Sequence, residues 1–206
     1  MYDDENWTTL AGDEAAEILE TASPVDGKYE TSATTTKVEK RSLPFYADTL
    51  LIRLTDPSWG NKKLAFYYLL NGTTLYRLGG ESRLIHEVNA TGALTLTDKN
   101  VLDYLRFFVF FVRSEEGPFI ILEDLNNPAL PTELDNRSRT TLEKFIRPAT
   151  IESKTEQGTY LCNAIVFYSN ALFTATFEVD SSGTIEMRKD RPVAADLPFI
   201  PNLPIA

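Results

Sequence analysis

The 206-residue chain is 43% hydrophobic and 24% charged, which excludes a disordered, collagen-like or disulfide-stapled protein and fits one globular domain. Its net charge of −10 is concentrated at one end: residues 1–30 hold nine acids and one base, whereas the other 176 residues hold 21 acids and 19 bases. A nearly neutral body with an acidic head lacks the basic stripe of nucleic-acid binders and is repelled by anionic membranes, and a lone cysteine, Cys162, excludes an internal disulfide.

The first ten residues, MYDDENWTTL, have neither the basic nor the apolar region of a secretory signal. The most apolar run, 101–112, is broken by Asp103 and Arg106 and falls short of the ~20 residues of a membrane span. No membrane association and a cytoplasmic location are therefore expected. Asn-x-Ser/Thr triplets at Asn6, Asn71, Asn89 and Asn136 are read as chance. Residues 11–21 fit a short helix with Ala15, Ile18 and Leu19 on one side, ended by Ser23-Pro24. The polar stretch 26–37 reads as a linker, so 1–37 form an acidic N-terminal arm and the α+β domain runs over 38–195.

A first meander follows. Residues 50–55 are a strand, 56–61 a turn, and 63–70 and 73–78 a hairpin closed by Asn71-Gly72, whose residues suit positive φ. After Gly79-Gly80, residues 83–88 read as a fourth strand, with His86 on the face of Leu84 and Val88. The stretch from about 98 to 113 predicts an apolar central helix with Thr97 as its N-cap and Asp98 in its first turn. Gly117-Pro118 turns the chain into a strand at 119–123, a loop covers 124–135, and Thr140 to Glu143 fit a capping box for a short second helix near 140–147. A second meander takes 151–157, 160–168, 172–179 and 184–188. Residues 196–206 form an extended tail with Pro198, Pro201 and Pro204 at polyproline spacing. The fold class is α+β: a mostly antiparallel sheet of two meanders curved around one apolar central helix.

Chemistry-bearing motifs are sparse. Phosphate-loop and dinucleotide glycine patterns are absent, one His and one Cys cannot complete a zinc site, and 180–186 lacks calcium-loop spacing. No metal and no cofactor are expected. His86 is the only imidazole, so any His-based catalysis must use it; its setting is that of a packed core residue. Cys162, in the buried-strand phrase YLCNAIVF, is a nucleophile only if His86 reaches it. Glu115-Glu116 and Glu123-Asp124 read as solvated acids. Asp103 and Arg106, three apart on the central helix, can pair and, with Tyr104, form a polar anchor for a ligand in an aromatic cleft.

The leading expectation is a non-enzymatic cytoplasmic interaction or accessory protein, its acidic arm steering towards a protein partner with a basic surface and not towards nucleic acid. On this reading the complex is salt-sensitive and lost on deleting 1–37. The alternatives are a small-molecule-binding domain with an aromatic cleft and a small hydrolase or transferase built on His86 with Cys162 or a serine. Phrases such as YRLGGESRLIHEVN resemble those of a bacterial-type domain and bring no activity with them. The sequence leaves the oligomeric state open, a homodimer through a sheet edge included.

Overall fold

The computed structural model describes residues 6–22, 29–61, 64–114 and 117–200. Ser23-Pro24, the start of the 26–37 linker, the Glu115-Glu116 pair, Pro201 and Pro204 lie outside the described residues. The chain is an α+β protein, its described residues building two five-stranded antiparallel sheets and a two-stranded pair. The two meanders each build their own sheet.

The first sheet has the sequential order β1 (Thr8–Thr9), β2 (Lys37–Ser42), β3 (Thr49–Thr55), β4 (Phe66–Asn71) and β5 (Thr74–Arg77). The β4–β5 hairpin is present, but its register pairs Asn71 with Thr74, so the loop is Gly72-Thr73 and not Asn71-Gly72. Only Gly72, at φ 60°, takes a positive φ there. One glycine at the first loop position meets the need of a II′ turn, which lets Asn71 stay in the ladder.

The second sheet runs β12 (Ile185–Ala194), β11 (Ala171–Val179), β10 (Tyr160–Tyr168), β8 (Ile120–Ile121), with β9 (Thr150–Lys154) on the other half of β10. On β11, Ala175, Phe177 and Val179 are buried while Thr174, Thr176 and Glu178 of the opposite face are half-buried, the period of two expected of a strand covered more on one side. The last strand is twice as long as 184–188 suggests and continues through Pro192. As an edge strand it can hold a proline, whose missing N–H then costs no ladder bond. A two-residue pair, β6 (Arg113–Ser114) with β7 (Gly117–Pro118), links the halves of the chain.

Four α-helices among the described residues pack with these sheets. Helix α1 (Asp13–Thr21) lies on the outer face of the first sheet, where Leu10, Ile18 and Ala22 join Val38, Ile52, Leu54, Phe66 and Tyr68 in a separate apolar cluster. This part of the acidic segment is thus structural cover for the sheet. Residues 82–91, expected as a strand at 83–88, form helix α2 (Ser82–Thr91). Ile85 and Val88 are buried at helical spacing, Arg83 pairs with Glu87 one turn on, and Gly92 follows at the C-cap. Helix α3 (Val101–Phe111) begins later than 98: Asn100 is its N-cap, and Thr97 and Asp98 belong to the turn before it. The Asn100 side chain accepts from Thr97 N–H at 2.7 Å and donates to the carbonyls of Pro44 and Thr95, which fixes the entry into the helix. Helix α4 (Asn136–Phe145) starts four residues before the expected capping box, because Asp135 caps it by accepting from Ser138 N–H at 2.9 Å.

One continuous core joins the inner face of the first sheet (Leu51, Tyr67, Leu69), both α2 and α3, and the second sheet (Cys162, Ala164, Val166, Ala175, Phe177). Eight of the eleven α3 residues are buried. A helix apolar over most of its circumference needs cover on more than one side. On one side the Phe111 ring lies 5.2 Å from Tyr67, and Ile120 and Ile121 of β8 share its core on another. Beyond the second sheet, Leu197 donates its N–H to Asn170 O and Phe199 packs its ring 5.7 Å from Phe167.

Candidate functional site

His86 stands on α2 and not on a strand. Its imidazole is half-buried, and its ring centroid lies 5.5 Å from that of Phe108 on α3. Cys162 lies inside β10, between its strand partners Phe177 and Ile151, and is fully buried. Burial pushes its thiol up to about 11, the direction opposite to an activated nucleophile. The two residues belong to different elements and have different neighbours.

Tyr104 is fully buried on α3, and its hydroxyl donates to Gly183 O at 2.7 Å. It also accepts from Asn89 Nδ2 at 2.8 Å, and Asn89 Oδ1 accepts from Tyr46 OH. A second Asn89 contact reaches Ser182 O at 3.2 Å. Burial raises the phenols of Tyr46 and Tyr104 far above their ordinary value, so both remain donors. This network ties α2, α3, the loop after β2 and the β11–β12 turn together. The turn is built for it: Asp180 Oδ1 accepts from the N–H groups of Ser182 and Thr184, and Gly183 sits at φ 81°. A Cβ at Gly183 would lie 2.5 Å from Tyr104 OH and 2.7 Å from Leu94, so only glycine fits.

Asp103 and Arg106 do pair, at 2.8 Å, but a third residue dominates the cluster. Glu123 accepts from Arg106 Nε at 2.7 Å and from Nη2 at 2.8 Å, a bidentate fork, and its Oε1 also accepts from Ala149 N–H at 2.9 Å. Burial alone would raise the Glu123 carboxyl; the Arg106 and Ala149 hydrogen bonds and the guanidinium charge outweigh it and hold the carboxyl below the ordinary range. Glu123, expected as a solvated acid, is therefore a half-buried clamp between α3 and the segment that leads into β9. Its partners lie 17 and 26 residues away, beyond the reach of any local pattern.

The aromatic rings around Tyr104 pack on one another. Phe45 lies 5.1 Å from Tyr104 and 5.3 Å from Phe107, and Phe107 lies 5.0 Å from Phe111. Among the described residues no group of three His, Cys, Asp or Glu side chains is placed to hold a metal ion, and no helix is long and apolar enough to cross a membrane.

The surface is more distinctive than the interior. Helix α1 turns Asp13, Glu14, Glu17 and Glu20 outward, all exposed, with no base on the helix. Lys40 on β2 approaches Glu14 at 3.5 Å; among the described residues Glu17 and Glu20 form no ion pair. Glu17 stands at the middle of α1 and Glu20 in its last turn, where the helix dipole favours cations. They rim a groove of about 380 Å³ between α1 and the β4–β5 hairpin. Comparison with known protein families, with curated proteins and with solved structures finds no match to this chain.

Proposed function

We propose that the chain is a non-enzymatic interaction protein of the cytoplasm that docks a basic partner surface through its acidic N-terminal segment. The observation that carries this reading is α1 itself. Its apolar side is held on the first sheet, which presents its acidic side to solvent as a rigid row. Such a row steers and orients a cationic partner without large conformational cost on this side of the interface. The engagement of Cys162, Arg106 and Tyr104 in packing, ion pairing and the buried network supports the same reading, since each already has a structural task.

Deleting residues 1–37 would be a poor test, because it would also remove Leu10, Ile18 and Ala22 from the cluster over the first sheet. The sound variant keeps the fold and removes the charge: Asp13→Asn, Glu14→Gln, Glu17→Gln and Glu20→Gln together. In affinity capture from lysate of the source cells, the wild-type chain is expected to retain a basic partner that the quadruple variant loses about tenfold. Raising salt from ~0.05 to ~0.3 M, which shortens the screening length, should release the same partner from the wild type. Retention of the partner by the quadruple variant would overturn the proposal.

A further inference from the structure

The groove beside α1 has two unlike walls. Glu17 and Glu20 stand on the helix side, with Thr21, and Leu70 and Leu75 lie on the hairpin side. Leu70 and Leu75 are cross-strand partners and only half-buried, so they form an apolar strip along the groove. An apolar strip ending at a pair of carboxylates is complementary to one kind of side chain: a long aliphatic stem with a cationic head. The groove, about 380 Å³, is roomy enough to admit such a side chain.

The acids are also misplaced for the helix alone. Glu17 and Glu20 are like charges at i, i+3, and Glu20 falls in the last turn, which holds no base. Both features destabilise α1, and both are relieved when a cation sits between the two carboxylates. Local rules tend to be broken where function requires it.

Resting on the reading proposed above, we infer that this groove receives a lysine or arginine side chain of the basic partner, its stem along Leu70 and Leu75 and its head between Glu17 and Glu20. The acids at the other end of the helix, Asp13 and Glu14, contribute only long-range attraction.

The test uses the full chain and a fluorescein-labelled hexalysine peptide, with binding followed by anisotropy at low salt. Glu17→Gln with Glu20→Gln should weaken binding about tenfold, while Asp13→Asn with Glu14→Gln, which removes the same formal charge, should weaken it less than about twofold. Removing Glu17 and Glu20 does not threaten the fold, because both changes relieve repulsion within α1. Equal losses in the two double variants would overturn the groove and leave the acidic-segment reading standing. Binding by the wild type that neither double variant weakens would overturn both, as would the absence of any salt-sensitive binding by the wild type.

Discussion

The thiol of Cys162 shows how a single side chain in this fold is governed by burial. Its ionisation is displaced up to about 11 because the thiolate would lie in the apolar core of the second sheet. At pH 8 a thiol of that acidity is ionised about two hundredfold less than an ordinary one near 8.5. Alkylation of the native protein by iodoacetamide at pH 8 is therefore expected to be at least about two hundredfold slower than that of the urea-unfolded chain. A native rate within about tenfold of the unfolded one would show that Cys162 is not held in the core. This burial was legible in the phrase around Cys162, because a strand core announces itself by composition. Glu123 was not, because its role depends on Arg106 and Ala149, which only the folded chain brings to it. Asn89 was obscured in the same way: nothing within a few residues of it signals Tyr46, Tyr104 or Ser182.

At the scale of elements, local chemistry decided what could be read. The β4–β5 hairpin and the strands of the second meander follow from short-range alternation and turn residues. The six residues RLIHEV suit a strand as well as a helix, and the chain makes them helix α2. The deciding signals lay outside that window: the Arg83–Glu87 pair, Asn89 on the buried side and Gly92 beyond the end. A Cβ at Gly92 would lie 2.7 Å from Val88 O and 2.9 Å from Thr49 Oγ1, so glycine is required by the close approach of β3. Helix α1 was legible as an amphipathic element, but its docking was not, since its partners Ile52, Leu54 and Phe66 are far along the chain. That docking yields a test. Ile18 is 7% exposed and is the helix's buried contact with the sheet. Ile18→Ala should lower stability by about 2 kcal/mol in urea unfolding, at the low end for a large-to-small change because the cluster lies near the surface. Amide exchange over residues 13–21 should accelerate with it, while the β10–β11 amides stay protected. Unchanged stability would mean that α1 is not held on the sheet.

Across the whole molecule, the question is whether two sheets built from two meanders behave as one unit. Sequence adjacency made each meander legible; it could not show which faces they share, because that depends on contacts between the two halves of the chain. In the structure α3 and the Tyr104 network lie where those halves meet. The inner residues of both sheets belong to a single apolar cluster, and the Tyr104 hydroxyl bonds the turn between β11 and β12. Strands on either side therefore cannot lose their packing without exposing α3, and unfolding should be cooperative in spite of the chain's length. The molecule carries its own probes for this. Its two tryptophans report on the first sheet, Trp7 lying 6.1 Å from Tyr67 and Trp59 4.9 Å from Phe66, while Cys162 reports on the second. Tryptophan fluorescence and pulsed alkylation of Cys162 across a urea series should give one midpoint. Tyr104→Phe leaves Gly183 O and an Asn89 donor without their partner, which costs about 1–3 kcal/mol, and it should move both midpoints down together. If Cys162 becomes reactive at a lower urea concentration than the tryptophan transition, the second sheet opens by itself. The shared helix would then be a contact surface between two folding units and not the centre of one.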